Sequence, residues 1–466
     1  MRLRAFLAAC ALRAVSCGIG EDPGQPRRQC GYCPRDAAAG SRSESCGTEY
    51  FNASTLDAMF APFASIEPRV LHEVREFQRK QHQNVARFVV RNRRIFHCGR
   101  LPGRMAWPLR LYGVAFLVQQ FLATASCAEG FDFEFFVVLP DGPFFTRKGI
   151  KTKRGPVKLG SAFPAFCLIS MPSHFVEIPL PWHDHVQTQL EYLAQLDAEP
   201  VAWEAKASVV EAVRGRNTWS SMFRDEFRAE FGKDWPRSHR VAMCTYPSRP
   251  WARFGITGPT LGDGGNAELK WISSQCAAHR LNASRVPWAS HAQFKYQLYL
   301  DGATISGYDS SALRAAGLML ATRSLFRTWM GTQFEAGKHH VPVRADLADL
   351  EATFRTLEAN PSTAERIFRE GERRMRALLE WPAIECYLCG VFSRYQRLYA
   401  GLANSKAAGG RGASACSVEY PLCPVEGEPA PTFYHRSDDQ RFTVYRRKPG
   451  TCSGGEPAVA GGTSRI

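Results

Sequence analysis

Two series of alternating strand-like and helix-like segments constrain the fold of this chain more than any other feature. In the first series, the apolar run Phe131–Leu139 has the composition of a buried strand. The second series begins with a predicted strand near His239–Thr245 and continues through Phe294–Leu300, Leu318–Ala321 and His340–Val343. Strands that alternate with helices predict an α/β fold. We therefore expect two Rossmann-like lobes with a ligand cleft between them.

The chain has 466 residues, which is too many for one compact core. Composition and element order divide it into five predicted parts. These are residues 1–45 as a signal peptide and a flexible arm rich in Cys, Gly and Pro, 46–235 as an N-terminal lobe, 236–365 as a C-terminal lobe, 366–405 as closing helices, and 406–466 as a loop-rich tail.

Local patterns predict several elements within the lobes. Val85–Val90 and Arg94–Cys98 form a predicted hairpin, and the stretch from Gln187 to Glu230 is predicted to be helical. Asp346 is expected to cap a helix. The basic segment from Thr146 to Lys158 is expected to be a surface loop, either near an acidic acceptor or simply solvated.

The N-terminus and the cysteines indicate a secretory protein. The first 20 residues have a basic start and then a short apolar run, as signal peptides do, and Asn52 and Asn282 begin Asn-x-Ser sequons. The 15 cysteines favour disulfides, with at least one thiol left over, although a zinc site at CxxC pairs such as Cys386 and Cys389 is an alternative. We expect the lumen of the endoplasmic reticulum or Golgi, with the N-terminus cleaved or associated with the membrane.

The formal net charge of +15 raises the hypothesis of nucleic-acid binding. The basic residues are spread along the chain, and the sequence has no zinc-finger spacing and no RNP-like aromatic motif. We therefore expect no nucleic-acid partner. The competing hypothesis predicts a strong, salt-dependent affinity for DNA or RNA.

Small residues fill the predicted turn after the strand Phe294–Leu300. Asp301 and Gly302 end the strand, and Ser306 and Gly307 keep the turn slim before hydroxylated residues that can cap a helix. Slim side chains let backbone N–H groups approach a ligand, and a helix start adds partial positive charge. The pattern predicts a phosphate-binding turn, with an ordinary capped strand–turn–helix as the alternative.

Residues 291–313 resemble the signature of the secretory-pathway glycosyltransferases of family 90, which include Rumi-type protein O-glucosyltransferases and fungal capsule xylosyltransferases. The residues that carry the resemblance are Phe294-Lys295-Tyr296, Asp301-Gly302 and Ser306. Further on, Lys338–Val343 looks like the family's KxHYxPV element, with His340 where Tyr is usual. In looser form the resemblance extends over residues 46–425, and it is nearest the plant and algal branch.

The resemblance implies a GT-B-like pair of lobes and an inverting transfer of glucose or xylose from UDP-glucose or UDP-xylose. It implies a protein or polysaccharide acceptor and a monomer that needs no essential metal. Asp141, which follows the strand Phe131–Leu139 and lies between prolines, corresponds to the family's general base. A plain turn aspartate is the alternative. The implied donor-binding residues are Arg253, Lys295, Asp301, Gly302, Ser306, Gly307, Tyr308 and His340.

Two departures from the family pattern fall on the donor side. Many members carry an Arg soon after the Ser of the turn, whereas this chain has Tyr308 and Asp309 there. The family's Arg-Gly or Lys-Gly after a strand is also absent after Val241–Thr245, where Arg253 is the later candidate. These departures motivate an alternative function, a catalytically inactive member that binds glycan or protein.

Overall fold

The computed structural model of the chain describes residues 50–51, 53–80, 84–98, 106–140, 144–152, 155–215, 224–232, 240–257, 274, 282–283, 287–301, 312–403 and 418–419. These residues form two open six-stranded sheets, a small three-stranded sheet and the helices that cover them. The mixed α/β class predicted from the sequence is confirmed.

The helices and strands follow one another in two groups along the chain. The first group is α1 (Ala53–Phe60), α2 (Pro68–Lys80), β1 (Val85–Arg91), β2 (Arg94–Cys98), α3 (Ala106–Thr124), β3 (Phe133–Val138), β4 (Phe145–Thr146), β5 (Gly149–Ile150), β6 (Val157–Lys158), β7 (Phe166–Cys167), β8 (Ile178–Pro179) and α4 (His183–Ala198). The second group is β9 (Ala207–Gly215), α5 (Arg224–Phe231), α6 (Arg240–Thr245), β10 (Ala252–Thr257), β11 (Asn282–Ala283), α7 (Trp288–His291), β12 (Phe294–Tyr299), α8 (Leu313–Ala316), β13 (Leu318–Thr322), β14 (Val341–Val343), α9 (Leu350–Ala359), α10 (Pro361–Leu378), α11 (Trp381–Ala403) and β15 (Val418–Glu419).

The first sheet is mixed and has the strand order β15-β2-β1-β3-β7-β8. Its first three pairings are antiparallel, and β3, β7 and β8 run parallel. The predicted β1–β2 hairpin is confirmed, and its turn places Asn92 and Arg93 at φ of 50° and 59°, as a two-residue hairpin turn requires. The parallel half therefore brings the carboxyl ends of β3, β7 and β8 to one edge.

The second sheet is entirely parallel and has the order β11-β10-β9-β12-β13-β14. Numbered within the sheet, this is the order 3-2-1-4-5-6 of dinucleotide-binding doubly wound folds. Strand order reverses between β9 and β12, so the switch point lies at the carboxyl ends of these two strands. The second predicted lobe thus has the Rossmann-like topology expected of it.

Helices near the C-terminus cover both sheets. On the second sheet, Phe354 of α9 stacks on Trp251 at 4.7 Å between ring centroids, and Phe368 of α10 stacks on Trp203 at 5.2 Å. Phe392 of α11 instead packs in the core of the first sheet. The prediction that the last helices cross back to the first lobe is confirmed.

Disulfides stabilise the fold. Cys127, which follows α3, is bonded to Cys389 of α11. Cys98 and Cys244 each take part in a disulfide as well. Cys386 is a buried thiol. The prediction of disulfides is confirmed, and the zinc alternative at the Cys386–Cys389 pair is wrong because Cys389 is already bonded.

Two element predictions are wrong. The stretch expected to be helical from Gln187 to Glu230 contains β9, the central strand of the second sheet, which therefore begins before the predicted lobe boundary at residue 236. The buried Glu211 in β9 obscured its strand pattern. Conversely, the expected strand at Val241–Thr245 belongs to the helix α6, because a short apolar run has no periodicity that separates helix from strand.

Two local predictions also need correction. Asp346 does not cap α9: its carboxylate pairs with Arg344 at 2.6 Å, and the helix begins after Asp349. The basic segment expected to be a loop contains β5 and β6, and β5 pairs with both β4 and β6 in the small sheet. Lys151 in this segment pairs with Glu226. Within the described ranges, no helix is long and apolar enough to cross a membrane.

Candidate functional site

The carboxyl edges of the two sheets lie against each other. Past β7, Ser170 forms an antiparallel bridge with Arg327, which follows β13, with N–H to carbonyl distances of 2.9 and 2.8 Å. From α4, the buried Gln189 accepts a hydrogen bond at 2.9 Å from the backbone N–H of Ala312. Segments that leave the two sheets at their carboxyl ends are therefore joined. Ligands of open α/β sheets bind at such edges.

On the second sheet, the edge beside the switch point contains the Tyr299–Asp301 pair. The Tyr299 hydroxyl donates a hydrogen bond to Oδ1 of Asp301 at 2.7 Å, and Asp301 is fully buried. Burial raises the pKa of the Tyr299 phenol well above its usual value, and the Asp301 carboxylate raises it further. The phenol therefore stays protonated and holds the carboxylate in place. Of the predicted donor residues, Asp301 lies directly at this edge.

His340, immediately before β14, packs near the Arg314 guanidinium. Burial lowers the pKa of His340 to about 4, with Arg314 and His339 as further causes. The imidazole is therefore neutral at physiological pH. Arg314 lies on α8 with its guanidinium 3.7 Å from the centre of the Phe334 ring. Arg314 was not among the residues predicted from the sequence, although an arginine soon after a small-residue turn was the available signal.

Arg253 and Lys295 lie elsewhere in the second sheet. Arg253 is the second residue of β10 and Lys295 the second residue of β12, so both belong to the amino-terminal halves of parallel strands. The Arg253 guanidinium lies 5.0 Å from the Phe294 ring, and the Lys295 ammonium lies 5.7 Å from the Trp203 ring. The structure does not bring either residue to the edge that contains Asp301.

Five predicted site residues lie outside the described residues: Asp141, Gly302, Ser306, Gly307 and Tyr308. Their described neighbours in the chain are Pro140, which follows β3, and Phe144, which precedes β4, together with Asp301, which follows β12, and Ala312, which precedes α8. Pro140 and Asp301 therefore mark the carboxyl ends of β3 and β12.

Two buried side chains, Arg110 and Glu177, hold the backbone at the edge of the first sheet. Arg110 of α3 donates a hydrogen bond to the carbonyl of Leu139 at 2.7 Å. Glu177 accepts the backbone N–H groups of Phe144 and of Phe145, the latter at 2.5 Å. Burial raises the pKa of Glu177 to about 8, while the two backbone hydrogen bonds act to lower it. The backbone is thus held on both sides of residues 140–143.

The described residues contain no cluster of three His, Cys, Asp or Glu side chains that could hold a metal ion. The Arg314 guanidinium lies within electrostatic reach of the Tyr299 phenol and of the neutral His340 imidazole. A guanidinium can bind an anion through charge-assisted hydrogen bonds.

Comparisons with known proteins find relatives of one functional class. Protein O-glucosyltransferase 3 of Rattus norvegicus is 31% identical over 104 residues, which are 22% of this chain and 20% of that protein. Human protein O-glucosyltransferase 1 is 22% identical over 189 residues, 39% of this chain and 48% of that protein. The chain therefore spans between a fifth and a half of these relatives.

Two solved structures show a distant likeness. Sucrose-phosphate synthase from Thermosynechococcus elongatus has a TM-score of 0.27 at 17% identity, over 46% of this chain and 49% of that one. A trehalose-6-phosphate structure from E. coli bound with UDP-2-fluoro glucose has a TM-score of 0.29 at 15% identity, over 62% and 66%. Likeness at this level does not bear on the fold, which rests on the strand order.

The family comparison agrees with the motifs. Residues 265–443 match the family described as glycosyl transferase family 90. The match contains the signature at 291–313 and the element at Lys338–Val343. Residues 265–443 are therefore similar to glycosyl transferase family 90.

Proposed function

We propose that this chain transfers a sugar from a UDP-sugar to a hydroxyl group of a protein or glycan. The position of the family 90 signature carries the proposal. Its strand, Phe294–Tyr299, is β12, which lies next to β9 at the switch point of the second sheet. Doubly wound sheets bind nucleotides at that point. The strand of the signature therefore lies where a doubly wound sheet is expected to bind a nucleotide sugar.

Asp141 is the proposed general base. An inverting transfer requires a carboxylate that takes the proton from the acceptor hydroxyl while the nucleoside diphosphate leaves. The braces on Leu139 and Phe144 support this role, since they restrain the backbone on both sides of the aspartate. The bridge between Ser170 and Arg327 supports a position opposite the donor strand.

On the donor side, Asp301 is proposed to bind a ribose hydroxyl. Ser306 and the backbone N–H groups from Gly302 to Gly307 are proposed to face the diphosphate. The protonated Tyr299 phenol supports the role of Asp301, because it fixes one carboxylate oxygen. The predicted donor roles of Arg253, Lys295 and His340 stay predictions. Arg253 and Lys295 lie in the amino-terminal halves of their strands, and His340 precedes β14 at the level of Arg253 in the sheet, so these positions do not support the roles.

The relatives' names support glucose as the sugar and a protein as the acceptor, with xylose and polysaccharide as the other proposed choices. The disulfide between Cys127 and Cys389 supports an oxidising compartment, in agreement with the lumen of the endoplasmic reticulum or Golgi. We propose a monomer that needs no essential metal and binds no nucleic acid.

A second candidate function is a catalytically inactive member that binds glycan or protein. The observation that favours it is the pair Tyr308 and Asp309, which stands where many members carry an arginine. Such a protein would bind an acceptor glycan or peptide but would not turn over nucleotide sugars.

A hydrolysis screen of UDP-glucose and UDP-xylose tests the proposal. We expect turnover by the full chain and a loss of about 10²–10⁴-fold in kcat for Asp141→Asn, with an unchanged UDP-induced rise in Tm. Asp132→Asn, at the opposite end of β3, is the matched control because Asp132 is exposed. Equal turnover by wild type and Asp141→Asn would overturn the base assignment. Binding of UDP without any turnover would favour the second candidate.

A further inference from the structure

Arg314 lies where the chain returns from the predicted donor turn to the second sheet. It belongs to α8, between Ala312, which Gln189 binds, and the start of β13. The Phe334 ring lies against its guanidinium at 3.7 Å. Packing against an aromatic ring occupies one face of a guanidinium and leaves its in-plane N–H groups available to a ligand.

The charge of Arg314 has no counter-ion among the described residues. Its Nε is buried without a hydrogen-bond partner, and Nδ1 of the nearby His340 is also buried without one. Of the groups that act on it electrostatically, the Tyr299 phenol is protonated and His340 is neutral. Asp301 accepts the hydrogen bond of Tyr299. A partly buried cation without a partner is unfavourable until an anion binds it.

We propose that Arg314 binds the diphosphate of the nucleotide-sugar donor. It would thereby take over the contact that other family members make through the arginine after the serine of the turn. This inference rests on the proposed function. A planar guanidinium can hold two phosphate oxygens at once, and charge-assisted hydrogen bonds are the strongest kind in proteins. Arg314, which follows the turn, would then compensate for the arginine that is missing at Tyr308, and Arg253 would not.

Isothermal titration of the full chain with UDP, and separately with uridine, tests this assignment. Arg314→Met keeps an unbranched side chain over Phe334 but removes the charge. We expect it to weaken UDP binding by about 10–100-fold and to leave uridine binding unchanged. Arg314→Lys, which keeps the charge but not the fork, should lie between the two. Arg366→Met is the matched control, because Arg366 is exposed on α10, and should bind UDP as wild type does.

Thermal unfolding without ligand separates a binding role from a structural one. If Arg314 serves to bind a ligand, Arg314→Met does not lower the Tm of the unliganded protein. If Arg314 has a structural role, the same substitution lowers that Tm. Equal UDP affinity of wild type and Arg314→Met would overturn this inference alone. A wild type that binds no UDP would overturn the proposed function as well. If Arg314→Met fails to fold, UDP affinity of Arg314→Lys equal to that of wild type overturns the inference in its place.

Discussion

The two sheets use their buried polar side chains in opposite ways. Beside the first sheet, Arg110 and Glu177 are buried and direct their hydrogen bonds to the backbone of Leu139, Phe144 and Phe145. Beside the second sheet, the guanidinium of Arg314 lies over Phe334 and makes no ion pair among the described residues. A side chain that binds backbone fixes a position, whereas an uncompensated charge can bind a ligand. The first sheet is therefore suited to hold a catalytic group, and the second to bind an anion.

The two edges remain connected despite this difference. The Ser170–Arg327 bridge and the hydrogen bond from Ala312 to Gln189 join segments that leave them. Substitutions at each edge and at the connection should therefore separate stability, catalysis and donor binding.

The largest effect is expected at Glu177. Glu177→Ala leaves the backbone N–H groups of Phe144 and Phe145 buried without an acceptor, at about 1–3 kcal/mol each. We expect a loss of about 2–5 kcal/mol in the free energy of unfolding, measured by urea denaturation. Glu177→Gln keeps an acceptor oxygen and should lose much less. An equal loss for both variants would contradict the prediction that the acceptor oxygen is what stabilises these two N–H groups.

The pH dependence of stability should carry the signature of the same residue. The pKa of Glu177 is raised to about 8 from 4.5, so the folded protein keeps a proton that the unfolded chain releases between those values. The free energy of unfolding therefore falls as pH rises through this window, by up to about 1.4 kcal/mol per pH unit, and levels off above pH 8. Urea denaturation at about pH 5.5, 7 and 8.5 checks this slope, which Glu177→Gln should lack. Parallel curves would contradict it.

A smaller effect is expected at the connection between the edges. Gln189→Leu keeps the volume of the buried side chain but removes the acceptor for the Ala312 N–H. We expect a loss of about 1–3 kcal/mol in stability and a several-fold rise in the KM for the donor, with kcat less affected. Gln187→Leu, an exposed neighbour on α4, is the control. A change confined to kcat would argue against a link to the donor side.

The smallest effect on donor affinity is expected at Arg253. Its guanidinium lies over Phe294 in the amino-terminal half of the second sheet, whereas Asp301 follows the carboxyl end of β12. We expect Arg253→Met to change the dissociation constant of UDP less than about twofold in the titration used for Arg314. A loss as large as that of Arg314→Met would restore Arg253 as a donor residue and weaken the contrast between the edges.

Much of this organisation could be predicted from local pattern. The β1–β2 hairpin, β3, β12 and the two long C-terminal helices follow from apolar periodicity and turn residues, which act over a few positions. The central strand β9 could not, because Glu211 interrupts its apolar pattern. This buried carboxylate pairs at 3.0 Å with His291, which lies 80 residues further along the chain. The helix α6 was predicted to be a strand because a short apolar run fits either helix or strand. Its neighbours in space decide which of the two forms.

By itself, the sequence determined the α/β class, the two series of elements, the disulfide-rich character and the family 90 signature on its strand, because composition and spacing are properties of neighbouring residues. The tertiary structure alone decided which strand lies at the switch point, which cysteines pair, and which arginine acts electrostatically on Tyr299. Arg314 and Arg253 are alike as letters in a sequence. They differ because long-range packing leaves the Arg314 guanidinium over Phe334 and within electrostatic reach of Tyr299, and the Arg253 guanidinium over Phe294.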